Sequence, residues 1–380
     1  MDSNRIIFIS FVLFMMSITS SSENNFLAIV FGSYCFRLIG WFFVFLSLFV
    51  KIFYDKIKVD IFPFILLLLM IFILQIYRCR FDFDDIIKIV MLAPFLLLNR
   101  IETKSLPYKK SLGILLFLLY VIYGLFMHNE KLGLRLNYSS SDPNMSAIIV
   151  LIAFMFASKV NSKFLEVGFS VLGFLTQSRN FMLAIFVFYL VRFLKRSKLF
   201  YVLFGKIRII PFYVVLNIVF TLFVSFFILS MDEASGRDTF SFNDGSNRLR
   251  FLYALEGLDY VDDVIVDGAG YAYLPVSKDG TGLAEVSGRV HNSLIDLIII
   301  KGVFYSLIYL MIFSCYFKYK YVYYNYEYIF SYLVASFFVG ELLFSTVYVC
   351  SWLFVLSLSS NNLKEYVDKK NLNFNPCFYS

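Results

Sequence analysis

Pro211-Phe-Tyr-Val-Val-Leu-Asn-Ile-Val-Phe-Thr-Leu-Phe-Val-Ser-Phe-Phe-Ile-Leu-Ser230 runs without one charged side chain. The run is too long and too apolar for the core of a soluble protein, and its length matches the roughly 20 residues that cross a hydrocarbon layer. Phe62–Ile76 has the same character. Outward from these two runs, apolar stretches recur along the chain between short charged breaks. The composition is 60% hydrophobic with a mean hydropathy of +0.75, far above that of a soluble domain. These features predict an all-α integral membrane protein, a single polytopic domain over residues 1–380. The alternating pattern of a membrane β-barrel is absent.

About twelve transmembrane helices are expected, near 6–20, 33–50, 61–77, 86–98, 111–127, 145–158, 163–176, 180–194, 209–230, 292–317, 328–343 and 345–359. The net charge of +7 is best divided by side, because Lys and Arg collect in cytoplasmic loops. With the N-terminus inside, the inner segments carry roughly twice the Lys and Arg of the outer ones. Twelve spans with both termini cytoplasmic follow. No basic face with interleaved aromatics remains for nucleic acid. Met1–Ser22 has the look of a signal peptide but reads better as an uncleaved first helix. Cys35, Cys79, Cys315, Cys350 and Cys377 form no CxxC pair, which argues against a disulfide framework or a zinc site.

Residues 231–290 are the one sizeable hydrophilic stretch, a long outer loop between the ninth and tenth helices. Ser246 or Asn247 can cap a helix through about Tyr260. Leu249, Leu252, Tyr253 and Leu255 give it an apolar face able to lie along a membrane surface. Gly268, Gly270, Pro275, Gly280 and Gly282 mark irregular chain.

Several polar groups on the outer side could carry chemistry. Arg179 follows Leu175-Thr176-Gln177-Ser178 at the start of a helix. A guanidinium forks onto phosphate oxygens, and a helix N-terminus adds free N–H groups and positive dipole. Ser178-Arg179 therefore reads as a phosphate grip, against the plainer alternative of an arginine snorkelling to lipid headgroups. Arg248 and Arg250 begin the loop helix and point about 200° apart, so one ligand does not take both. Arg248 is favoured as the inward one. His291, one of two histidines, precedes Asn292 at the start of a membrane helix. A neutral imidazole can take a proton from a sugar hydroxyl near pH 7. Its plainer alternative is a satisfied interfacial histidine. Asp142 or Asn144 can cap the sixth helix. Asp262, Asp263 and Asp267 read as a solvated acidic turn and not a metal site. Arg37, Lys301 and Glu341 lie in or near spans, where charged groups usually face a cavity or a partner. No Walker loop, GxSxG or HExxH motif occurs.

Taken in order, these pieces resemble the O-antigen ligase and O-antigen polymerase (Wzy-type) superfamily. The signs are Asp142-Pro143-Asn144 with Ala147, then Leu175 to Arg179, then the long loop with Ser246 and Arg248-Leu249-Arg250. Gly268-Ala269-Gly270 and His291-Asn292-Ser293-Leu294 with Gly302 complete them. Gln177 departs from the glycine or small residue common before Ser-Arg. The resemblance implies a GT-C-like fold in the bacterial inner membrane with a periplasmic loop. It implies a polymerase that moves a growing glycan from undecaprenyl pyrophosphate onto an incoming lipid-linked repeat unit, with no cofactor, nucleotide or metal. His291 would be the catalytic base. Arg179 and Arg248 or Arg250 would bind the pyrophosphate, with Ser178, Asn292 and Asn144 in support. A chain-length regulator protein is an implied partner. The ligase that transfers glycan to lipid A-core, and a flippase for lipid-linked oligosaccharide, are the alternatives.

Overall fold

A computed structural model of the chain describes residues 3–19, 33–53, 62–77, 86, 90, 92, 101–102, 106, 108–126, 143–197, 200, 207–229, 245–261, 265–269, 276–278, 285–287, 290–319, 322–340 and 342–359. Over these residues the protein is α-helical. The helices are α1 (Ser3–Thr19), α2 (Ser33–Phe53), α3 (Phe62–Tyr77), α4 (Lys109–Phe126), α5 (Pro143–Lys159), α6 (Lys163–Leu175) and α7 (Arg179–Leu194). There follow α8 (Ile209–Leu229), α9 (Gly245–Asp259), α10 (Ser293–Lys301), α11 (Val303–Tyr319), α12 (Val322–Ala335) and α13 (Thr346–Ser357). Two short ladders join them. β1 (Ile101–Glu102) pairs in parallel with β4 (Leu358–Ser359). β2 (Val276–Lys278) pairs antiparallel with β3 (Glu285–Ser287), Val276 opposite Ser287.

The centre is α5. Every residue from Ser146 to Ala157 is fully buried, because this helix is apolar on all sides and has no face to give to water. α13 packs against it, and α1 closes the other side of both. Phe11 stacks on Phe354 at 4.4 Å and meets Phe156 at 5.2 Å. Tyr332 of α12 stacks on Trp352 of α13 at 4.2 Å. Outward faces are the reverse of a soluble protein's. Phe42 on α2, Ile73 on α3, Phe164 on α6, Phe193 on α7 and Phe226 on α8 are all exposed, Phe226 at 77%. Soluble monomers seldom expose continuous apolar surface on this scale. α8 is long and apolar enough to cross a membrane, over Ile209–Phe227 with mean hydropathy 2.3. Leu38–Ser47, Leu68–Tyr77, Asn144–Lys159, Val303–Ser314 and Val347–Ser357 are apolar but shorter.

Most helices lie close to their expected positions, and two expected spans differ. The run 292–317 breaks into α10 and α11 at Gly302, whose φ is +79°. The backbone of Ile265–Ala269 docks across the break. Val303 N–H donates to Ile265 O (2.9 Å), and Ala269 N–H donates to Ile299 O (2.7 Å). Gly268 has φ +66°, and a Cβ there would sit 2.5 Å from Ile300 O. Gly268→Ala is therefore expected to destabilise the protein by roughly 2–4 kcal/mol, from the left-handed backbone and the main-chain clash together. Thermal unfolding of purified protein measures this, and a melting point equal to wild type would contradict the docking.

The run 328–343 also departs from expectation. α12 begins earlier and ends at Ala335, and the chain then turns around Ser293. Ser293 N–H donates to Ser336 O (2.9 Å), Ser293 Oγ donates to Val339 O, and Leu342 N–H donates to Ser293 Oγ (3.0 Å). A small hydroxyl residue thus substitutes for the helical hydrogen bonds that α12 gives up. Of the expected helix 86–98, only Ile86, Val90 and Leu92 are described. Asp142, Glu341 and the side chain of Arg37 lie outside the described residues, as do Asp262 and Asp263.

Candidate active site

The opening stretch carries polar residues at four-residue spacing: Tyr213, Asn217, Thr221 and Ser225. On a helix these fall on one face. All four are buried in α8. Asn217 and Thr221 meet the start of α10, where Asn292 is the N-cap. Its Oδ1 accepts from the N–H groups of Leu294 (3.0 Å) and Ile295 (3.3 Å). Its Nδ2 donates to Asn217 Oδ1 (2.9 Å) and Thr221 Oγ1 (3.1 Å).

The network continues in one direction. Asn217 Nδ2 donates to Tyr213 Oη at 3.3 Å, and Ser336 Oγ donates to Leu333 O at 2.6 Å. Tyr213 Oη lies 2.7 Å from Ser336 Oγ, so the tyrosine hydroxyl is the donor of that pair. Ser336 O in turn holds Ser293 N–H. Asn292 is thus committed on both sides of its amide. It anchors the chain next to His291 from the start of α10.

His291 is half-buried and opens onto a small cleft lined by Thr221, Arg250, Phe251, Ala254, Asn292, Phe337 and Phe338. α8 continues to Leu229, about 12 Å beyond Thr221 at 1.5 Å per residue, so the cleft is set back from that helix's end. α9 folds back to close it. The loop helix forms as expected, but Phe251, Tyr253, Ala254 and Gly257 are its buried residues, while Leu252 and Leu255 are half-buried. Tyr253 and Ala254 pack with Val290, Ile295 and Ile299 of the α10 region. A Cβ on Gly257 would lie 2.5 Å from Ile299 Cδ1, so the absence of a side chain allows this approach.

The docking also places one of the two loop arginines. Arg250 lines the cleft beside His291. The side chain of Arg248, the favoured inward residue, lies outside the described residues.

Arg179 opens α7 and is half-buried. α7 and α12 run antiparallel. Lys195 Nζ meets Glu327 Oε2 at 2.6 Å, the Phe188 and Tyr328 rings meet at 5.1 Å, and Ser331 Oγ donates to Ala184 O at 2.7 Å. From that last contact, Arg179 is five residues back along α7 and Ser336 five residues on past the end of α12. The start of α7 therefore lies at the end of the bundle that holds Phe337 and Phe338, two of the cleft's walls. The opposite end holds a separate ionic network. Lys159 Nζ donates to Asn325 Oδ1 and to Leu358 O (3.1 Å), and Arg192 Nη1 reaches Glu166 Oε1 at 3.0 Å.

Two motif details gain a physical cause. Gln177 has φ +50°, a backbone in which glycine would carry less strain. Asn144 lies within the first turn of α5 and its Oδ1 accepts from Ser178 Oγ (3.1 Å). The pair ties two helix starts together, which replaces the expected capping role of Asn144. Asp267 is exposed. No protein-family model, curated protein or solved structure matches this chain.

Proposed function

We propose that this protein is an integral membrane glycosyltransferase that polymerises lipid-linked oligosaccharide repeat units. The carrying observation is that Arg250 and His291 line one inset cleft at the bundle end where Arg179 opens α7. The belt of exposed apolar side chains supports a lipid setting. Thirteen described helices, less α9 and with α10 and α11 counted as one broken span, supply eleven of twelve proposed spans. The region 86–98 supplies the twelfth. The bundle is proposed to be GT-C-like, with both termini cytoplasmic and residues 231–290 on the outer face.

In this mechanism His291 takes the proton of an acceptor sugar hydroxyl. The hydroxyl oxygen bonds to the anomeric carbon of the donor glycan as the bond to the carrier's pyrophosphate breaks. The leaving undecaprenyl pyrophosphate takes the electron pair. Arg250 and Arg179 stabilise its charge in a site shielded from water. The charge is met by guanidinium groups, so no metal is required.

Liposomes loaded with lipid-linked repeat units on one side test the proposal directly. Elongation is expected, undiminished by chelator. Loss of elongation to chelator, restored by one divalent ion, would transfer the chemistry to a metal site. Movement of the lipid across the bilayer without elongation would indicate a flippase. Transfer only to lipid A-core would indicate a ligase.

A further inference from the structure

We propose that Asn180 is a direct ligand of a phosphate group bound at the start of α7. The inference rests on the reading of Arg179 as a phosphate grip. α7 is sixteen residues long, and its N-cap Ser178 makes no side-chain capping bond. The Ser178 hydroxyl is turned instead to Asn144 Oδ1. Ser178 therefore offers no side-chain acceptor to the first-turn N–H groups, which lie at the positive end of the helix dipole.

Asn180 sits in that first turn. It is 4% exposed, and among the described residues its Nδ2 has no hydrogen-bond partner. A buried amide in this state is costly, and the great majority of such groups in native proteins are paired. Side chains in a first turn lean toward the start of their helix. The Asn180 N–H groups are therefore directed to the place where the dipole, the first-turn backbone N–H groups and Arg179 favour an anion. An amide donor next to a guanidinium fits tetrahedral phosphate oxygens, which accept from several directions at once. The phosphate could belong to the pyrophosphate of a lipid-linked glycan or to the headgroup of an anionic phospholipid. Ser178 and Asn144 then act as positioning residues that hold the two helix starts together.

Inorganic pyrophosphate is the probe, titrated into full-length protein in phosphatidylcholine nanodiscs. Wild type is expected to bind it. Asn180→Ala and Asn180→Leu should each weaken binding about tenfold, the value of one charge-assisted hydrogen bond, and Arg179→Ala should weaken it further. Asn180→Leu should melt at or above wild type, since it removes an unpaired buried amide. Unchanged binding in both Asn180 variants overturns the Asn180 contact while leaving the Arg179 grip intact. A melting point lowered by Asn180→Leu also overturns it, because it shows a structural role for the amide. Displacement of pyrophosphate by added phosphatidylglycerol keeps the Asn180 contact, assigns the site to a headgroup, and overturns the donor reading. Wild type that binds neither overturns that reading and the Asn180 contact with it.

Discussion

Replacing His291 with alanine is expected to lower glycan elongation by about 10²–10⁴-fold, the usual contribution of a positioned acid–base group. Folding should be retained. The start of α10 is held by Asn292 and Ser293, since Asn292 satisfies two of the helix's first N–H groups. Stability and activity should therefore separate in this variant. Elongation of lipid-linked repeat units by purified protein gives the rate, and complementation of a polymerase-null strain gives the product lengths. A well-expressed His291→Ala protein that still makes full-length chains would falsify the assignment. Arg250→Lys provides the companion measurement. It keeps the charge but loses the planar two-point fork, so it should recover only part of the rate lost in Arg250→Ala.

The helices were legible because their signal is coarse. A run such as Ile209–Leu229 has no charge to break it and few ways to satisfy its backbone except as a helix. Ends and breaks were less legible because single residues decide them. Gly302 lies in an apolar run of ordinary helical appearance, and only the docking of Ile265–Ala269 shows why the chain turns there. Likewise α12 gives way after Ala335 because Ser293, far away in sequence, replaces its hydrogen bonds. Of the candidate site, His291 and Arg250 could be selected from the sequence as charged or titratable groups at the edge of an apolar chain. That Arg250 lines the cleft could not be, because that depends on how α9 packs against α10, where Gly257 and Ile299 make a close approach. The stripe Tyr213, Asn217, Thr221 and Ser225 was readable from its spacing and was missed, since each residue alone looks like ordinary tolerance within a long helix. Asn217 and Thr221 of this stripe share a partner in Asn292, whose place beside His291 they help to fix.

Asn292→Ala is accordingly expected to reduce stability as well as activity, in contrast to His291→Ala. The substitution removes the cap of α10, about 1 kcal/mol. It also leaves the buried Asn217 carbonyl without its donor, a further 1–3 kcal/mol or so. A total of roughly 2–4 kcal/mol should appear as a lower melting point in nanodiscs. Activity should fall with it, since His291 is held by the chain that Asn292 anchors. Asn292→Asp distinguishes the two contributions. A carboxylate keeps the capping acceptor, but it meets Asn217 Oδ1 as another acceptor where the amide had donated. It should therefore melt between wild type and the alanine variant. Asn217→Ala supplies the other corner of a double-mutant cycle. Because Asn292 Nδ2 and Asn217 Oδ1 are 2.9 Å apart in a buried setting, their losses should not add, with a coupling of about 0.5–3 kcal/mol. Simple additivity would mean that the two helices are held by packing alone, and that the polar stripe of α8 has no part in placing His291.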